Sequence, residues 1–249
     1  ASLSKPTALV FPAILFFYLL LLEHEPPSRA LRLAAPALVL AVMLGIFLAA
    51  MTPSTYSGGA TSPFAYRLTQ PFVALRYFTA FFLPIHLSAD TDLRPATGIL
   101  SGSVWLGILF IVVVVAFAFW SAKRTDWKPV AFGLAWFLLA LLPTAIFPLA
   151  EVENDHRMYF PFVGLALAAC WAADRLTQRH RSLIAALCIV ILSAAGWATW
   201  SRNEVWKTEE SLWHDVTIKS PENGRGWMNY GLALMGRGDY NGEIGRAHV

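Results

Sequence analysis

The sequence predicts an all-α, polytopic membrane protein followed by the start of a helical repeat, and three observations predict it. The 249 residues are 57% hydrophobic and only 14% charged, with a mean hydropathy of +0.53, too apolar for a water-soluble domain of this length. The apolar residues fall in long runs without the alternation of barrel strands, and in lipid only a helix or a closed barrel satisfies its own backbone. From Asn203 onward the composition turns polar, and apolar residues recur at helical spacing.

The elements follow in order. Residues 7–22 make a first span, with Lys5 and Pro6 at its mouth and Glu23, His24 and Glu25 beyond it. Pro26-Pro27 ends it, because proline cannot continue the hydrogen-bond ladder. Residues 33–51 make a second span, and residues 52–70, rich in Ser, Thr, Gly and Pro, read as a loop. Residues 72–87 are apolar and aromatic but interrupted by Arg76, Pro84 and His86. They read as an amphipathic helix lying in the interface, with a true span as the alternative. Residues 103–120, 130–147, 160–173 and 183–200 complete a set of six spans and one surface helix. Basic residues in short loops stay cytoplasmic, which places Lys123, Arg124 and Lys128, and then Arg175, Arg179 and Arg181, on that side. By parity the loop 151–157, residues 52–101 and everything after Trp200 lie on the opposite face. The net charge of +3 reports this topology and not a nucleic-acid partner. Cys170 and Cys188 both fall in apolar runs and read as small buried hydrophobes.

Ala1 is followed almost at once by an apolar run, without the basic segment and cleavage site of a signal peptide, so further spans are expected upstream. Residues 244–249 break the pattern of the helix before them and match the translation of a common sequencing adaptor. The expected organisation is therefore a membrane region over 1–201, the start of a repeat region over 202–243, and an artefactual tail over 244–249.

The densest chemistry lies between two apolar runs, where Glu151, Glu153, Asp155, His156, Arg157 and Tyr159 occur within nine residues. One reading is a solvated interhelical loop. The other is a site at the membrane boundary, where Arg157 and Tyr159 sit near the first turn of a helix and face an anionic lipid head group. In the polar region Trp227, Tyr230, Gly231, Leu234 and Tyr240 match the first-helix pattern of a tetratricopeptide repeat. An isolated amphipathic hairpin is the alternative.

Four stretches together carry a family resemblance: Ser4-Lys5 before an apolar helix, Leu83-Pro-Ile-His-Leu-Ser-Ala-Asp90, Leu142-Pro143, and His156-Arg157-Met-Tyr159-Phe-Pro161-Phe-Val-Gly164. They resemble the transmembrane and tetratricopeptide-repeat O-mannosyltransferases and their bacterial relatives. The resemblance implies a GT-C glycosyltransferase, in which a polyprenyl-phosphate sugar enters from the membrane and the sugar passes to a protein hydroxyl on the non-cytoplasmic face. It also implies that the acidic catalytic motif lies upstream of Ala1. The catalytic residues are then unknown within this chain, and the chain alone is expected to be inactive. The lysine of the family's first motif is usually followed by Glu, whereas Pro6 follows Lys5 here.

Sugar transfer from a phosphate needs a general base for the acceptor hydroxyl and positive charge on the departing phosphate. Arg157 is the expected phosphate ligand, with Lys5 as a second cation. Glu151, Glu153, Asp155, His156, Tyr159, Asp90 and Asp92 are expected to contact substrate. Glu151, Glu153, Asp155 and His156 could hold a divalent ion, although no metal ligands are assigned. The implied partners are membrane lipid, the polyprenyl-phosphate sugar donor, and an acceptor protein held by the repeats, with the protein in a bacterial inner membrane and the repeats periplasmic. The alternative from another class is a membrane-anchored repeat scaffold without catalysis. A transporter is less well supported, because no charged residues lie deep in the spans.

Overall fold

Every apolar run forms helix in the computed structural model, which describes residues 6–51, 62–85, 87–176 and 181–236, and the described residues contain no strand. A 3-10 turn, Pro6–Val10, leads into α1, Phe11–Leu21. There follow α2 at Pro27–Met51, α3 at Pro63–Phe82, α4 at Gly102–Ala122, α5 at Lys128–Ile146 and α6 at Tyr159–Leu176. Among the described residues the last helices are α7 at Arg181–Asn203, α8 at Glu209–Lys219 and α9 at Gly224–Gly236. Four segments are long and apolar enough to cross a membrane: Pro27–Met51, Gly102–Ala122, Thr125–Ile146 and Ile184–Asn203. Of the six expected spans, α1 falls short in length and α6 closes on Asp174 and Arg175. Lys5, Arg179, Tyr240 and residues 244–249 lie outside the described residues.

Two boundaries differ from the sequence reading, and proline explains both. Pro27 opens α2 instead of only closing α1, because the first position of a helix needs no N–H donor. Pro63 likewise opens α3, so the last eight residues of the expected loop are its first turns. At its other end α3 stops at Phe82, short of Pro84.

The chain divides into two compact units. The first comprises Ala1–Leu83, Pro95–Val152 and His156–Leu176. Its centre is α5, whose Val130, Ala131, Phe132, Leu134, Phe137 and Ala140 are all buried. Ile14 and Leu21 of α1 pack on Ala131 and Phe132. The approach of α6 is closer still. A Cβ on Gly133 would meet the Gly164 carbonyl oxygen and come within 2.9 Å of Ala168, and one on Gly164 would come within 2.8 Å of Trp136 Cβ. Glycine at both positions lets the two backbones touch, the packing that small residues provide where lipid supplies no hydrophobic drive.

The two ends of α5 are distinct. At the Lys128 end, Lys128 Nζ lies 2.9 Å from His24 Nδ1, Trp171 Nε1 donates to the Asp126 carbonyl at 2.7 Å, and Arg124 sits 4.3 Å over the Trp120 ring. Amphipathic indoles beside basic side chains mark a membrane boundary. At the Ile146 end lies the first turn of α3. The far end of α3 does not reach Lys128, since Phe78 packs on Phe137 and Phe81 on Phe162 in the first turn of α6. The helix α3 therefore does not traverse the length of α5.

The second unit comprises Pro84–Arg94, Glu153–Asp155 and Thr177–Val249. Within it α8 and α9 form a helical hairpin that buries Val216, Tyr230 and Leu234. Gly226 allows the close approach, because a Cβ there would stand 2.7 Å from Val216 Cγ1. A capping box opens α8: Thr208 Oγ1 accepts from Ser211 N, and Ser211 Oγ accepts from Thr208 N. The α7 span buries none of its window. Cys170 and Cys188, expected to be buried, are exposed. Helix faces that water would force inward can point outward when the surroundings are hydrocarbon.

Candidate functional site at the C-terminal end of α5

The last carbonyls of a helix have no partner within it, and α3 supplies donors for those of α5. Tyr66 Oη donates to the Thr144 carbonyl at 2.7 Å, and Arg67 Nε to that of Ile146 at 2.8 Å. One turn on, Gln70 Nε2 donates to the Val152 carbonyl at 3.1 Å. Tyr66, Thr69 and Gln70 are buried, while Arg67 is exposed.

Arg157 joins the same end from the 3-10 turn Asp155–Met158. Its Nη1 donates to the Glu151 carbonyl at 3.0 Å and its Nη2 to Glu151 Oε2 at 3.2 Å. The Arg157 side chain is 8% exposed. Burial pushes the Tyr66 phenol above its ordinary range, and the nearby charge of Arg157 pulls it back. The arrangement is a fixed guanidinium, a phenol, and a second, outward guanidinium at the end of a span.

The expected site residues separate. Tyr159 is 83% exposed and does not turn inward with Arg157, because residues two apart in a helical turn do not face each other. Glu151 is the partner of Arg157, which makes it a positioning group for the guanidinium. In the second unit Asp155 Oδ2 accepts from Ser88 N at 2.9 Å, Glu153 is buried, and His156 in the first unit is exposed. Asp90 is buried and takes both Nε and Nη2 of Arg225 at 2.6 Å. Asp92 accepts from Glu222 N at 3.4 Å, and Asn223 Nδ2 donates to the Thr91 carbonyl at 3.1 Å. The Leu-Ser-Ala-Asp stretch is thus bound by the α8–α9 hairpin. Trp227 donates its indole N–H to the Pro221 carbonyl at 2.8 Å, and Gly231 is half-buried. Among the described residues no group of three or more His, Cys, Asp or Glu could hold a metal ion.

Sequence reasoning missed Tyr66, Arg67 and Gln70 by taking residues 52–70 as loop. The signal was present: 66, 69, 70, 73, 74 and 77 recur with helical period and are all buried.

With this geometry in place, comparison with known proteins gives one consistent result. The chain is similar to protein O-mannosyl-transferases. It is 25% identical over 199 residues to protein O-mannosyl-transferase TMTC1 of Homo sapiens, covering 73% of this chain and 23% of that protein. It is 31% identical over 114 residues to protein O-mannosyl-transferase Tmtc3 of Drosophila melanogaster, and 29% identical over 113 residues to Tmtc2 of the same organism. Each of these two matches covers 43% of this chain and 12% of the relative. The chain thus spans less than a quarter of the length of the curated relatives it matches. No family model matches the chain, and no solved structure matches it.

Proposed function

We propose that this chain is part of a membrane glycosyltransferase that moves a mannose-like sugar from a polyprenyl-phosphate donor to a protein hydroxyl on the non-cytoplasmic face, the periplasmic face in a bacterial cell. The observation that carries the reading is the similarity over 199 residues to a protein named as an O-mannosyl-transferase. The chemistry of the α5 end supports it. A phosphate leaving an anomeric carbon gains negative charge, and a donor already held in place stabilises that charge without reorganising. Arg157 is such a donor. Glu151 engages two of its nitrogens, which fixes the plane of the guanidinium beside the Tyr66 phenol. The general base belongs to a region outside these residues, and the α8–α9 hairpin begins a tetratricopeptide array that presents the acceptor protein.

Titrating a polyprenyl-phosphate sugar against the protein containing this chain tests the reading. Arg157→Ala is expected to weaken donor binding roughly ten- to a hundredfold, the loss of a charge-assisted contact. Arg157→Lys should recover only part, because an ammonium lacks the planar fork. Three matching curves would sink the assignment. They would favour the second reading, a membrane-anchored repeat scaffold, which draws support from the exposed Met228 and Leu232 on α9.

A further inference from the structure

We propose that Arg67 is a second ligand for a lipid-borne phosphate, standing outward at the level where α5 leaves the membrane. The inference deepens the donor-binding reading above and rests on it for the identity of the lipid.

The level follows from α5 itself. The segment Thr125–Ile146 has 22 residues, and at about 1.5 Å per residue it is roughly 33 Å long, close to the hydrocarbon core of about 30 Å. Its Lys128 end carries the indoles and basic groups of one boundary. The Ile146 carbonyl therefore marks the other boundary, and Arg67 Nε is bonded to it at 2.8 Å. An arginine here reaches phosphate depth without entering hydrocarbon.

The bland role for Arg67 is to cap α5, since cations suit a helix C-terminus. That role uses only Nε. The two terminal nitrogens of Arg67 have no hydrogen-bond partner among the described residues, and the side chain is exposed. With Nε tied down, the plane of the guanidinium is set, and the free edge is the one that pairs with two phosphate oxygens. Its sequence neighbour Tyr66 lies within reach of Arg157, so the outward and the inward arginine serve one end of one helix. The inner one is turned toward the protein by Glu151, and the outer one faces the lipid.

The experiment uses the 249-residue chain in phosphatidylcholine nanodiscs, titrated with undecaprenyl phosphate or with phosphatidylglycerol and read by tryptophan fluorescence. Arg67→Gln keeps an amide donor for the Ile146 carbonyl and removes the charge. It is expected to weaken undecaprenyl phosphate binding about tenfold, with the melting temperature unchanged. Arg67→Lys should fall between Gln and wild type. Binding by both variants equal to wild type would show a cap only and overturn the proposal. An equal loss toward phosphatidylglycerol would keep the phosphate contact but overturn its assignment to an isoprenoid donor. Loss in Arg157→Ala with none in Arg67→Gln would sink Arg67 and leave the donor reading standing. Failure of the wild-type chain to bind undecaprenyl phosphate at all would end both.

Discussion

Arg157 has a carbonyl and a carboxylate of Glu151 for partners and an 8% exposed side chain, so replacing it removes more than a charge offered to a ligand. The Arg157–Glu151 pair is partly buried, so the guanidinium also holds the 151–157 loop. Arg157→Ala is expected to destabilise the protein by about 1–3 kcal/mol, visible as a lower apparent melting temperature in detergent. Glu151→Gln keeps the side-chain acceptor and should cost less than Arg157→Ala; the reverse order would show that the pair does not orient the guanidinium. The Glu151 partnership was not legible in the sequence because a contact six residues back depends on how the loop folds, whereas the separation of Arg157 from Tyr159 was, given their spacing.

Glycines at the helix crossings make predictions that propensity alone would get backwards. In a helix interior, glycine to alanine ordinarily gains roughly 0.5–1 kcal/mol. At Gly45 and Gly196, where a Cβ would meet nothing within 4 Å, Gly→Ala should be neutral or stabilising. At Gly133 and Gly164 the added Cβ would press on the facing backbone. There Gly→Ala should destabilise by about 1–3 kcal/mol through overpacking. Thermal melts of the four variants check the contrast, and a stabilised Gly133→Ala would refute the backbone contact between α5 and α6. The loop carrying Asp90 is an element of the same kind, defined by what it docks on. Asp90→Ala removes the carboxylate that takes two Arg225 nitrogens and should loosen the α8–α9 hairpin by about 1.5–3 kcal/mol, the range for hydrogen bonds to charged groups. Amide exchange across 209–236 reads this, and the swap Asp90→Arg with Arg225→Asp should restore part of the protection.

Across the whole molecule, the distribution of charge and of exposed apolar surface decides topology. Asp155 and Asp90 both engage Ser88, the first through its amide nitrogen and the second by accepting from its hydroxyl, and Asp90 in turn holds Arg225. Within the second unit, then, the 153–155 loop and the α8–α9 hairpin share one short segment. Both should stand on one face of the membrane. With Cys170 and Cys188 replaced by alanine, Asn154→Cys and Met228→Cys should react alike with an impermeant maleimide on intact cells. Labelling of one without the other would break the assignment.

Composition and periodicity by themselves determined the class: helices and their approximate places, and the polar hairpin after the last apolar helix. Those properties are set locally, since a backbone in lipid must satisfy itself within each segment. The sequence could also nominate Arg157 and the Leu-Ser-Ala-Asp stretch as unusual. Only the tertiary structure decided what each one touches. It assigned Glu151 to Arg157 and Asp90 to Arg225, turned Tyr159 outward, and brought Tyr66 and Arg67 across almost eighty residues of sequence to the carbonyls that end α5. Such pairings are fixed by how helices cross and by which helix end has donors or acceptors to spare, and neither is written in the spacing of a single segment.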